Sequence, residues 1–229
     1  MTALTILGRG KAGRALAAAL GCPNLSREAR PEGHVILAVP DHAIESLARH
    51  FPGRAAHLSG SLHLADVPAA HPLISFDGHP ADWRGVPLAL TGPVPAAIRD
   101  ALTSLGFEPF SLPPEQKARY HAAAVLTSGH AATLWIGAAR LLRDAGIELP
   151  GDGLLPLARA TCENLARHGE SGRTGPFVRG DEATIKRDAE ALPEVWRSVF
   201  LDLGHALDRW SPPPKQGLGN DSPKPTPKL

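Results

Sequence analysis

The chain has 229 residues, 43% hydrophobic and 21% charged, which is enough apolar material for one large or two small cores and too much for disorder throughout. Its 24 basic and 23 acidic residues leave a formal net charge of +1, so the broad positive field that nucleic acid or an anionic membrane surface requires is missing. Cys22 and Cys162 lie far apart without C-x-x-C spacing, which argues against a disulfide framework or zinc knuckle and fits a reducing cytoplasm.

Arg9, Lys11 and Arg14 interrupt the apolar N-terminal stretch, so no secretion signal is expected. No later stretch reads as the roughly 20 apolar residues of a membrane span, and a soluble protein without a membrane partner is expected.

Up to about residue 112 short β-like runs alternate with helical ones: "LTILG" and a helix from Lys11, "HVILAVP" and "DHAIESLARHF", "AAHLSG", "HPLISF", "VPLALTG" and "PAAIRDALTSLG". Such alternation predicts an α/β fold, a Rossmann-type doubly wound parallel sheet. "HVILAVP" and "VPLALTG" are continuously apolar and read as central strands, while the second strand shrinks to something within "CPNLSRE". After Pro113 and Pro114 the pattern turns helical for some thirty residues, and "LLPLARATCENLARHG", "DEATIKRDAEAL" and "PEVWRSVFLDLGHALDRW" supply three more helices. The expected domains are therefore 1–112, a dinucleotide-binding sheet, and 113–210, all helical. A Pro- and Lys-rich tail, 211–229, is expected to be disordered.

Gly8, Gly10 and Gly13 stand in G-x-G-x-x-G order between the strand Leu4–Leu7 and the helix "AGRALAAAL", which is the setting a dinucleotide site requires. Gly8 allows the tight turn, Gly10 the approach of pyrophosphate, and Gly13 close helix-strand packing. Arg9, Lys11 and Ala12 complete the loop, with helix N–H groups free for the anion. The Asp that would mark the adenine ribose at the end of the second strand is not present. Ser26 and Arg27 stand there instead and suit a 2′-phosphate, so NADP is expected, with NAD possible, although Glu28 is adjacent.

Ligands in open α/β sheets bind outside the C-terminal strand ends, which makes Val39, Pro40 and Asp41 candidates for the cofactor-facing loop. Asp41 serves equally as an N-cap of the next helix. The same logic places Ser59 and Gly60 near the nicotinamide. Eleven histidines include no metal-binding spacing, so no metal is expected. His71 reads either as a general acid near neutral pH or as a structural hydrogen-bonding residue. His121 and Ser128, seven apart, share a helical face that His130 does not. Tyr120, the only tyrosine, reads as an anchor between domains. In "GRTGPFVRGDEATI" Asp181 is expected to cap a helix.

The segments "GRGKAGRALAAAL", "AVPD", "HLSGSL", "HPLISF", "KARYHAAAVLTSGH" and "TGPFVRGDEATI" together resemble a bacterial family. It pairs an N-terminal domain of the "NADP oxidoreductase, coenzyme F420-dependent" type with a C-terminal domain of unknown function, number 2520. The resemblance implies kinship with pyrroline-carboxylate reductase, ketopantoate reductase and the β-hydroxyacid dehydrogenases, in which the helical domain completes the site and dimerises. It implies a homodimer through that domain and a small-molecule substrate. Several members carry Lys-x-x-x-Asn, the Lys acting at the substrate oxygen. Here Lys117 is followed by His121 on the same helical face, a departure at the Asn position. The implied activity is NADP-dependent hydride transfer to or from a small carbonyl or imine, with Ser59, His71, Lys117 and His121 lining the reacting centre. The alternative is a dinucleotide-binding regulatory or sensor protein without turnover. A deazaflavin-linked reductase follows from the domain's name alone.

Overall fold

The computed structural model describes residues 3–210; the tail expected to be disordered, 211–229, lies outside them. Its chain divides into two compact units, the first ending at Leu134 and the second beginning at Trp135. The first unit thus extends past the boundary expected at 112, into the long helix.

In the first unit the sequence alternation becomes β1 (Leu4–Leu7), α1 (Lys11–Leu20), β2 (Asn24–Leu25), β3 (His34–Leu37), α2 (Asp41–Ala48), β4 (Ala55–His57) and β5 (Ala69–Pro72). These are followed by β6 (Pro87–Thr91), α3 (Ala96–Ser104), β7 (Glu108–Ser111) and α4 (Lys117–Val125). The strands form one sheet in the order β2-β1-β3-β4-β5-β6-β7. All neighbours are parallel except β5 and β6. Both faces are covered. Ile6, Ile36, Ala56 and Leu88 pack with Leu16 of α1 and Ile98 and Leu102 of α3. Leu7, Val35, Leu37 and Ala55 pack with Ile44 and Leu47 of α2. Apolar side chains on both sides of a strand leave little room for polar alternation, which is why "HVILAVP", containing β3, reads as a continuous apolar run.

Three expectations are corrected. "VPLALTG" forms β6, second from the sheet edge rather than central, and it runs against β5. "HPLISF" is mostly the exit from a strand, since β5 ends at Pro72. β7 is absent from the sequence reading because it is an exposed edge strand containing Pro109, without the apolar run that marks a buried one.

The long helix runs from Pro114 to Asp144, with a five-residue π segment, Leu126–His130, between α4 and α5 (Ala131–Asp144). By length and composition it could cross a membrane, contrary to the expectation that no such stretch exists. Its hydropathy comes from alanines together with Val125, Leu126, Leu134 and Ile136, interrupted by polar residues such as Ser128 and His130.

The second unit continues α5 and adds α6 (Leu155–His168), α7 (Pro176–Arg179), α8 (Glu182–Glu190) and α9 (Glu194–Gly204). Asp181 caps α8 as expected, its carboxylate accepting from the Thr184 N–H at 3.1 Å. Trp196 lies over Gly137, and Phe177 packs on Phe200 with ring centres 5.1 Å apart. Among this unit's described hydrophobic residues other than glycine only Ile185 and Ala189 are buried, while Leu157, Val195 and Trp210 are more than 60% exposed.

Candidate functional site

The strand order reverses at β1, which has β2 on one side and β3 on the other, so a crevice opens outside the carboxyl ends of β1 and β3. The glycine loop lies there. Gly8 has φ +117°, and a Cβ on it would strike the Ala38 carbonyl. A Cβ on Gly13 would strike the carbonyl of Gly8, to which the Asn24 amide also donates at 2.9 Å. These two glycines are demanded by the fold itself. Gly10 is different: nothing lies within 4 Å of the place its Cβ would take. The open space before Gly10, and an α1 N-terminus without a side-chain cap or first-turn acid, suit an incoming pyrophosphate. The exposed Arg9 and Lys11 flank this opening, with Ala12 half-buried behind them.

Val39 is half-buried and Pro40 exposed beyond β3. Pro40 is the N-cap of α2, and Asp41, its first residue, directs its carboxylate away from its own helix. It accepts from the hydroxyls of Ser59 (2.9 Å) and Ser61 (3.0 Å), which corrects the capping reading. Ser26 and Arg27 follow the edge strand β2, where Arg27 donates to the carboxylate of Glu28 at 3.1 Å. Bonding from Ser26, then from backbone and Arg27, holds the Glu28 carboxyl below its ordinary range. A hollow of about 350 Å³ adjoins Arg27 and Arg30 and reaches Ser46 and His50.

At the end of β4 the loop 59–61 is held from every side. The Ser59 N–H donates to Nδ1 of His57 at 3.2 Å, and the Leu62 N–H donates to the Ser59 hydroxyl at 3.0 Å. Lys117 donates to the Ser59 carbonyl at 3.1 Å. Lys117 is only 1% exposed. Burial lowers its pKa, with partial relief from the Asp41 carboxylate. His57 is fully buried with no partner for Nε2, and burial, reinforced by Lys117, pushes it down to about 4. The sequence reading weighed His57 only as a metal ligand; a polar residue closing a buried strand two positions before Ser59 was the available signal.

Beside this loop lies a cleft of about 500 Å³, lined by His71, Tyr120, His121 and Ser128 among apolar neighbours such as Ile74 and Val125. Nδ1 of His71 is 2.8 Å from the Tyr120 hydroxyl, and the His71 and His121 ring centres are 6.4 Å apart. Gly60 is buried against both: a Cβ there would stand 2.9 Å from Nε2 of His71 and 2.8 Å from Cδ2 of His121. Burial, then the Lys117 charge, then His121 push His71 down to about 4, so it is neutral at pH 7 and is not the near-neutral acid considered above. Burial pushes Tyr120 up to about 12. Tyr120 thus serves a partner within the first unit. The π segment contributes Thr127, Ser128 and Gly129 to the cleft wall, a placement often found at functional sites. Ser59, Gly60, His71, Lys117 and His121 lie near one another, with Lys117 behind the Ser59 loop rather than on the cleft surface. No group of His, Cys, Asp or Glu able to hold a metal occurs among the described residues.

Residues 95–207 match the family model described as Domain of unknown function (DUF2520). The match takes in α3, the edge strand β7 and the helices that follow, in keeping with the pairing the sequence resemblance named. In three dimensions it is similar to BF3122 of Bacteroides fragilis, described as a "putative NADP oxidoreductase", with 20% identity and TM-score 0.74 over 90% of this chain and 97% of that one. It is also similar to TM1727 of Thermotoga maritima, at 20% identity and TM-score 0.70 over 90% and 96%. A reductive aminase of Aspergillus terreus in complex with NADPH and ethyl levulinate matches at 15% identity and TM-score 0.61, over 91% and 93%. At these identities the likeness is one of fold. No curated protein matches the sequence.

Proposed function

We propose that the protein is an NADP-dependent oxidoreductase that moves a hydride to or from a small carbonyl or imine compound. The observation that carries the reading is the open approach at Gly10 on the uncapped α1 N-terminus, on the same strand-end side as a cleft bearing His71 and His121. The solved structures of similar fold support it, since one is described as a "putative NADP oxidoreductase" and another holds NADPH with a keto ester.

The cofactor, when bound, supplies or accepts the hydride. The glycine loop and α1 would hold its pyrophosphate, Ser26 and Arg27 its 2′-phosphate, and Val39, Pro40 and Gly60 would border its length. His71 and His121 face the substrate, and His121 supplies the proton that accompanies reduction of a C=O or C=N bond. Lys117 and Asp41 fix the Ser59 loop behind them. The helical unit forms a homodimer, because two buried apolar side chains are too few to stabilise it and its large apolar residues need cover.

Calorimetry with NADPH and NADH, followed by NADPH oxidation against a panel of ketones, aldehydes and imines, tests the reading. Micromolar NADPH binding with turnover supports it, and failure to bind either nucleotide overturns it. Binding without turnover transfers the protein to the sensor class.

A further inference from the structure

We propose that Tyr120 locks His71 as the tautomer protonated on Nε2, so that the cleft presents a neutral N–H donor to the C=O oxygen or C=N nitrogen of an uncharged, largely apolar compound. The inference rests on the proposed function for the identity of the site and narrows its substrate class to uncharged carbonyl or imine compounds, excluding a protonated iminium.

The hydrogen bond between Tyr120 and Nδ1 of His71, at 2.8 Å, has two possible polarities. A phenol is a far stronger acid than a neutral imidazole N–H, and an imidazole nitrogen is a far stronger acceptor than a phenol oxygen, so the hydroxyl donates. The His71 proton then resides on Nε2. That nitrogen lies close against the buried Gly60, where an alanine Cβ would stand only 2.9 Å from it, so glycine is what lets the ring sit there. Tyr120 is itself held by the Phe110 ring, with centres 6.1 Å apart.

The charged and titratable groups acting on His71 agree with a neutral ring. Lys117 and His121 disfavour its imidazolium, and the opposing influence of Asp41 is the smallest of the contributions, with burial the largest. A neutral donor recognises a carbonyl oxygen or the lone pair of an uncharged imine nitrogen, but has no lone pair to offer an iminium N–H. No Lys, Arg, Asp or Glu lines the cleft among the described residues, while Leu73, Ile74, Ala124 and Val125 do. A carboxylate-bearing substrate would find no guanidinium or ammonium there, and a cationic one no carboxylate.

The test is nitrogen-15 NMR of histidine-labelled protein, with His71 assigned by comparison with His71→Gln. At pH 7 His71 should show protonated Nε2 and bare Nδ1, and Tyr120→Phe, which keeps the ring packing, should shift the ring towards the Nδ1–H form. Cyclohexanone, added to the NADPH-loaded protein, should perturb the His71 Nε2–H signal saturably. Pyruvate and cyclohexylammonium should bind at least tenfold more weakly, and Tyr120→Phe should weaken cyclohexanone about tenfold without changing NADPH affinity. An Nδ1–H tautomer in the wild type, an unchanged tautomer in Tyr120→Phe, or equal binding of cyclohexylammonium overturns the proposal. Because the tautomer is read without nucleotide, failure of NADPH to bind would count against the proposed function and leave this measurement standing.

Discussion

The ammonium of Lys117 reaches 3.1 Å to the carbonyl of Ser59, joining the first residue of α4 to the loop after β4 beneath the candidate site. Its charge depresses both His57 and His71. Lys117→Met should keep the fold at a cost of about 1 kcal/mol for the lost hydrogen bond. It should also raise the titration points of both histidines, read by nitrogen-15 NMR. Turnover, where found, should fall by at least tenfold as the loop loosens.

Gly10 and Gly13 should separate folding from binding. Gly13→Ala meets the Gly8 carbonyl, and should cost about 2 kcal/mol and lower Tm by about 5 °C. Gly10→Ala meets nothing, so its Tm should stay within about 2 °C of wild type by the usual small effect of a surface change. NADPH affinity in Gly10→Ala should nonetheless fall by about tenfold or more because the added methyl stands where pyrophosphate approaches. Scanning calorimetry and nucleotide titration check the pair; equal nucleotide affinity in Gly10→Ala would remove the cofactor from this loop.

The pairing of Arg27 with Glu28 predicts a graded response to nucleotide phosphate. Arg27→Ala should weaken NADPH by about 10- to 100-fold, the worth of a charge-assisted hydrogen bond, and leave NADH nearly unchanged. Glu28→Gln should do the opposite, tightening NADPH by about 2- to 5-fold once the competing carboxylate is gone. Fluorescence titration of both nucleotides distinguishes these outcomes.

Acid should destabilise the first unit through its buried histidines. His57 and His71 both fall from an ordinary 6.5 to about 4 in the folded chain, so the folded state resists a proton that the unfolded state takes up. Stability is therefore full above pH 6.5, declines as pH falls towards 4, and levels off below it. His57 alone accounts for a loss of up to about 3 kcal/mol. Urea unfolding at pH 7, 5.5 and 4 should follow that course, and His57→Gln should flatten it.

The sparse burial of the second unit predicts a dimer of about twice the chain's 24.1 kDa in light scattering. Glu substitutions at Leu157 and Val195, both more than 60% exposed, test whether those side chains belong to the interface. A monomer at all concentrations would refute the dimer.

By itself the sequence determined those features whose cause is local. The mostly apolar runs of β1 and β3, the glycine turn into α1 and the Asp181 cap all follow from neighbours in the chain, and they sufficed for the Rossmann-type fold. Ser59 was recognisable as a candidate from its strand end, His121 from its helical face, and His71 from the family resemblance. Tertiary structure decided what each does, because burial and charge act across distances the chain order hides. Asp41 looked like a cap until Ser59 and Ser61, 18 and 20 residues on, claimed its carboxylate. His71 looked ready to titrate near neutrality until burial and Lys117 held it neutral, with Tyr120, 49 residues away, supplying its hydrogen bond. Edge strand β7 and the turned-round β6 likewise owe their places to pairing partners, since a strand's neighbours and direction are set by packing rather than by its own residues.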